Sequence, residues 1–206
     1  ASSVVYKCQV CNSPPVLLAH RVVVTLVHEF WLLMHHVLGG DQSWVRFSGV
    51  ATEWDFVEAP SQLLEEWAWD AGVLRLFATD ADGVPIPAEL VAQMKDAEAF
   101  GKGLLTRTQM FYAALAYRFH RDRPADPAAL MLRLYDEYSL VEPLPDTHFY
   151  AGFGHLESYT SGYYTYMWSL VIAKDLFSAF DPDNLLDPVV AARYRDAVLV
   201  PGGSRD

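Results

Sequence analysis

The stretch 23-VVTLVHEFWLLMHHVLGG-40 runs from Val23 to Leu38 with neither proline nor glycine, then meets Gly39-Gly40. Carried back to His20, it predicts one helix over His20–Leu38 with the glycine pair as its stop. Val22, Val23, Val24, Leu26, Val27, Phe30, Trp31, Leu33, Met34, Val37 and Leu38 surround the helical wheel. A helix apolar on every side is expected to be buried. Its polar residues Thr25, His28, Glu29, His35 and His36 fall mostly on one stripe by their i+3, i+4 and i+7 spacing, with Leu32 in the middle of it.

Helical patterns continue outward from this segment. A second helix is expected from about Asp55 to Ala71, kinked or restarted at Pro60. Others follow at about Ala88–Ala97, Ala99–Arg121, Pro127–Tyr138, Tyr159–Phe180 and Pro188–Leu199. The Pro- and Gly-marked segment "LVEPLPDTHFYAGFGHLES" reads as a long loop, and loops of that length tend to carry function. Upstream, "SVVYKCQV" alternates like a short strand before the turn signal "NSPP", so residues 1–19 are expected to form an extended arm. The expected fold is a single all-α domain over residues 1–206, with one or two short strands near the N-terminus.

The chain has 206 residues, 52% of them hydrophobic, enough for a sizeable core. Its formal charge of −11 argues against a nucleic-acid surface or an anionic membrane surface, both of which require clustered Lys and Arg. No apolar run is read as reaching the roughly 18 residues that span a bilayer, and no cleavable signal is read. Cys8 and Cys11 form a Cys-x-x-Cys without the second pair that a zinc ribbon requires. Ordinary thiols are expected, hence a reducing compartment and a cytoplasmic location. Beginning at Ala1 rather than Met, the chain reads as a fragment, a processed product or an engineered chain.

His28-Glu29 starts a His-Glu-x-x-His pattern. That pattern places two imidazoles one helical turn apart, where both reach a zinc ion, with the glutamate as general base on metal-bound water. The fifth position is Leu32. His35 lies seven residues from His28, about 10 Å along the axis at ~1.5 Å per residue, too far to share a tetrahedral ion. On local pattern alone, the histidines and Glu29 read equally as polar groups of a buried helix satisfied by hydrogen bonds.

Three blocks together resemble the M3 family of zinc oligopeptidases. They are the first helix, similar to that family's TLFHEFGHxLHH signature, "FSGVATEWDFVEAPSQLLEEWAWD" from Phe47 to Asp70, and "FGHLESYTSGYYTYMWSLVIAKDLFSAF" from Phe153 to Phe180. The blocks occur in the family's order, and the resemblance runs from about Asn12 to Ser204. It corresponds to the C-terminal catalytic portion of a family member, without the large N-terminal part. The resemblance implies His28 and Glu58 as zinc ligands, Glu29 as general base, and Glu53 and Asp55 as carboxylates orienting the histidines. It implies His155, Tyr159 and Tyr166 as contacts to the substrate carbonyl and the tetrahedral intermediate, where phenol and imidazole donors suit developing negative charge. Without the resemblance, Tyr163, Tyr164, Tyr166 and Trp168 read as core aromatics.

The departures gather at the metal site. Leu32 replaces the second histidine, Trp31 a glycine, Val27 a phenylalanine, Val22 a commonly acidic residue and Ser158 a glycine. Small-to-large at 31 beside large-to-small at 27 suggests repacking, by drift in a pseudoenzyme or by redesign. The implied cofactor is zinc, expected here to bind weakly or not at all, with peptide hydrolysis lost or strongly impaired. Without the ion, Glu29 and Glu58 should repel, and at least one should titrate high. A pocket of Thr25, Trp31, Leu32 and Ser158 beside these groups would suit short peptides or a small apolar ligand carrying a donor or cation. Surface normally covered by the N-terminal part should favour self-association or a partner, leaving a structural or interaction module as a further reading.

Overall fold

The computed structural model describes residues 18–205. The expected arm over residues 1–19, its strands and the Cys8/Cys11 pair lie largely outside that range. The described residues hold ten α-helical segments and no strand: α1 (His20–Leu38), α2 (Ala59–Glu65), α3 (Ala71–Leu74), α4 (Ala88–Glu98), α5 (Lys102–Asp122), α6 (Pro127–Tyr138), α7 (Phe149–Gly152), α8 (His155–Ser158), α9 (Thr165–Phe177) and α10 (Pro188–Tyr194). A single antiparallel bridge joins Thr79 and Pro85 in the loop before α4. The all-α class holds over the described residues.

Local chemistry sets several boundaries. Pro60, Pro127 and Pro188 lie in the first turns of α2, α6 and α10, where a missing N–H costs nothing. Asp126 caps α6 by accepting from the Ala129 N–H at 3.0 Å, and Asp187 caps α10 by accepting from Val189 at 2.8 Å. The expected helix over Asp55–Ala71 is shorter, because residues 54–58 form turns and Pro60 starts the helix instead of kinking it. After α2 the chain tightens to a 3₁₀ turn over Glu66–Trp69. Gly101, at φ 72°, separates α4 from α5, which were expected to abut at Ala99. Thr160, at φ 52°, breaks the segment expected to begin a helix at Tyr159, so α9 starts at Thr165.

Two apolar clusters form the core. Leu63 and Leu64 of α2, Ala173 of α9, Phe180 and Leu185 make one, with Val27, Trp31, Trp67 and Tyr194 packed on it. Phe111, Leu115 and Ala116 of α5, Leu130, Met131 and Leu134 of α6, Phe153 and Tyr163 make the other. α2 packs between α1 and α9, so it supports the site from both sides.

α1 departs from expectation in burial. His35 alone is fully buried in it, with neither ring nitrogen hydrogen-bonded. Val22, Leu26, Phe30, Leu33 and Val37, spaced four, four, three and four residues apart, form an exposed stripe, with Val37 60% exposed. The helix packs through one face only, and high apolar content did not translate into burial. α1 is also long and apolar enough to cross a membrane by length and composition, contrary to the sequence reading, because its two charged residues dilute the run without breaking it. Its His28, however, is bonded to Glu65 of α2.

The far end of α1 is locked by glycines. Gly202, at φ 53°, lies where a Cβ would be 2.5 Å from the Phe47 carbonyl oxygen, and a Cβ on Gly203 would be 2.0 Å from that of Ala51. A Cβ on Gly39 would meet the Leu199 carbonyl at 3.0 Å, and Gln42 Nε2 donates to the Val200 carbonyl at 2.7 Å. The C-terminal segment is thus packed backbone to backbone on the end of α1 and the loop after it.

Candidate active site

Glu58 is presented by the turns before α2. The N–H groups of Phe56 and Val57 both donate to the Glu53 carbonyl at 3.0 Å, and that of Ala59 to Phe56 at 2.8 Å. From α9, the fully buried Thr165 hydroxyl donates to the Trp54 carbonyl and Ser169 donates to that of Asp55 at 2.8 Å. Gln62 Nε2 donates to the Tyr166 carbonyl at 2.9 Å, fastening α2 to α9 a second time. Glu58 itself is 2% exposed.

His28 faces this turn from α1 and is held between two carboxylates. Its Nε2 lies 3.1 Å from Glu58 Oε2 and its Nδ1 lies 2.7 Å from Glu65 Oε1. Glu58 also accepts from Ser61 Oγ at 3.1 Å and from the Tyr159 hydroxyl. The carboxylate orienting His28 is therefore Glu65, not Glu53 or Asp55. Glu53 contributes its main-chain carbonyl, and Asp55 accepts from the Tyr164 hydroxyl at 3.2 Å. Glu58, Ser61 and Glu65 stand at i, i+3 and i+7, on one helical face. That spacing is present in the sequence, although the family resemblance points to the residues before Glu58.

The electrostatics follow from these bonds. Burial alone would lower the His28 pKa, but its hydrogen bonds to Glu58 and Glu65 and their negative charges outweigh it and raise it to about 9. Burial would raise Glu58, yet donation from His28, Tyr159 and Ser61 and the His28 charge hold it below its ordinary value. At least one of Glu29 and Glu58 was expected to titrate high; Glu58 moves the other way, because a histidine and two hydroxyls stabilise its charge. Tyr159 is pushed well above the usual phenol range by burial, then by its bond to Glu58, with a contribution from the charge of Glu29.

His155 opens α8, and its Nε2 lies 3.2 Å from the Tyr166 hydroxyl. Tyr159 and Tyr166 have ring centroids 5.2 Å apart, and His155 lies 5.5 Å from Tyr159 and 5.7 Å from Tyr166. Burial lowers the His155 pKa, with Glu58 opposing it, and raises Tyr166 far above the usual phenol range. The structure thus brings His28, Glu58, His155, Tyr159 and Tyr166 into one continuous array.

The expected pocket is divided. Thr25, His28, Glu29 and Glu65 line a cleft of about 660 Å³ with His20 and Trp69. Ser158 lines a different one, about 480 Å³, with His155 and Tyr163. Trp31 and Leu32 line neither. Trp31 and Val27, one turn apart, pack on the Leu63–Leu64–Phe180 cluster. Among the described residues, no three His, Cys, Asp or Glu side chains converge on a point that could hold a metal ion.

This helical scaffold, with a His-Glu pair on one helix, a glutamate in the turn before the next and a His/Tyr loop across from them, is of the kind that metallopeptidases use. The chain belongs to peptidase family M3, whose model matches residues 3–206. It is 32% identical to oligopeptidase A of Escherichia coli (strain K12) over 203 residues, covering 95% of this chain and 30% of the relative. It is 31% identical to the organellar oligopeptidase A, chloroplastic/mitochondrial, of Arabidopsis thaliana, covering 95% of this chain and 27% of that protein. A probable cytosolic oligopeptidase A of the same plant is 30% identical, with 95% and 30% covered. The chain thus spans about 30% of the length of the curated relatives it matches.

Proposed function

We propose that this chain is an M3-type metallopeptidase domain with an incomplete zinc site, inactive or strongly impaired in peptide hydrolysis. Leu32 carries the reading. It stands four residues after His28, where a second imidazole would be needed, and offers no donor atom. A catalytic zinc takes three protein ligands and a water, and lowers the pKa of that water. His28 and Glu58 supply two, and each is already paired within the protein. The residues present do not fit the ion. His155, Tyr159 and Tyr166 retain the donors suited to a peptide carbonyl, and Glu29 remains at the cleft beside His28. Short peptides are the substrate class, and the cytoplasm the compartment. The name of the cytosolic plant relative favours that compartment and the name of the organellar one opposes it.

The test is metal content of the purified chain, together with cleavage of a quenched fluorescent peptide. The expected result is substoichiometric zinc and no turnover, with Leu32→His raising zinc affinity at least ~10-fold. Stoichiometric zinc with Glu29-dependent cleavage in the unaltered chain would overturn the proposal. A second reading, a small-molecule binder, is favoured by the cleft beside His28, where Glu29, Glu65 and Trp69 would suit a cationic or donor-bearing ligand. The exposed α1 stripe supports self-association, which sedimentation across a concentration series would detect.

A further inference from the structure

A cavity of about 240 Å³ lies between α5, α6 and the loop leading to α7, away from His28 and Glu58. Its walls are aromatic: Phe111, Tyr112, Tyr135, Tyr138 and Phe149. Phe111 meets Tyr135 edge-on with centroids 4.8 Å apart, and Tyr112 stacks on Phe149 at 5.2 Å and 17°. No charged side chain lines it, so a charged guest would lose hydration without compensation. Six hydroxyl-bearing residues line it: Tyr112, Tyr135 and Tyr138, and Thr108, Ser139 and Thr147, the last three with their protons committed. Thr108 donates to the Leu104 carbonyl at 3.1 Å, Ser139 to Val141 at 2.8 Å and Thr147 to Leu144 at 2.9 Å. Thr108 and Thr147 still offer lone pairs, and the three phenols can accept as well, so a guest carrying a donor finds partners.

We propose that this cavity is a second ligand site, for a neutral one- or two-ring aromatic molecule carrying an N–H or O–H donor. Apolar cavities of about 150 Å³ already admit benzene, so indole- or phenol-sized rings fit the space. The aromatic walls offer stacked and edge-on contacts to such a ring. The site also touches the catalytic loop. Tyr112 and Phe149 line both this cavity and the cleft of His155 and Ser158, and Tyr163 bridges Tyr112, 5.7 Å away, to His155, 5.0 Å away. A ring bound behind the stacked pair changes the packing against which His155 rests.

Indole titrated into the full chain, followed by saturation-transfer NMR, tests the site. Saturable binding is expected with a Kd on the order of 1 mM. Replacing indole with 1-methylindole, which lacks the donor, should weaken it about three-fold or more. Thr108→Phe fills the cavity from α5 and Leu144→Trp fills it from the exposed loop, so the fold is challenged from two independent sides. Each should weaken indole at least about ten-fold with far-UV dichroism unchanged. Leu32→His should leave indole binding as it was, and the His155 imidazole resonance should move as indole saturates. Absence of saturable binding, equal binding of 1-methylindole, or full binding by a folded filling variant would each overturn the proposal.

Discussion

His35 gives the sharpest energetic test of how α1 is seated. It is 0% exposed, and neither ring nitrogen has a hydrogen-bond partner. Burial, assisted by the neighbouring His36, lowers its pKa from 6.5 to about 4. Between those values the unfolded chain binds a proton that the folded chain refuses. This contribution is therefore fully present above pH 6.5 and is lost as pH falls through about 4. At 1.36 kcal/mol per pKa unit, a fall from pH 7 to 4.5 removes about 2.5 kcal/mol. Carboxylates also destabilise the fold in acid, so the informative quantity is a difference. Urea unfolding of the parent and of His35→Leu, compared at both pH values, should show the parent losing about 2.5 kcal/mol more than the variant. At pH 7 the variant should be the more stable, by on the order of 1 kcal/mol, because two unpartnered ring nitrogens are replaced by methyl groups. Identical pH slopes in the two proteins would refute the argument, since His35 would then be proton-accessible in the fold.

Glu65→Gln removes one of the two charges holding His28, so the His28 pKa should fall from about 9 toward its ordinary value, read by NMR titration of the imidazole. Trp31→Gly should cost roughly 3 kcal/mol in thermal or urea unfolding, because the indole fills the α2–α9 cluster, which makes Leu32→His alone the cleaner reversion. Thr165→Val leaves the Trp54 carbonyl without its donor and should cost about 1–3 kcal/mol, with a parallel loss of Glu58 ordering visible as a change in His28 titration. Asp126→Ala should lower stability by about 1 kcal/mol through loss of the α6 cap.

The sequence was most legible where local chemistry decided the outcome. α1 and α6 have the bounds expected from Gly39-Gly40 and from Asp126-Pro127, because caps and breakers act within a turn. The grouping of His28, Glu58, His155, Tyr159 and Tyr166 was also readable, through family resemblance instead of local pattern. Three-dimensional partner choice was less so. Glu65 was overlooked because a helix face must first be placed against another before its i+7 carboxylate has a target. The exposure of Leu26, Phe30 and Leu33 could not be foreseen from composition, since an apolar wheel states a preference and not what is available to cover it. Trp31 looked like the floor of the site until its ring was seen to pack with Val27 in the core.

The glycine seam at the end of α1 has a consequence for handling this protein. Gly202 and Gly203 lie within backbone distance of Phe47 and Ala51, and Gly39 meets Leu199 at the same junction. The helix that bears His28 is therefore referenced at one end to residues 199–203. Bulk added there, as in Gly203→Ala, acts as a lever on that helix, so the orientation of His28 is sensitive to a junction far from it in sequence.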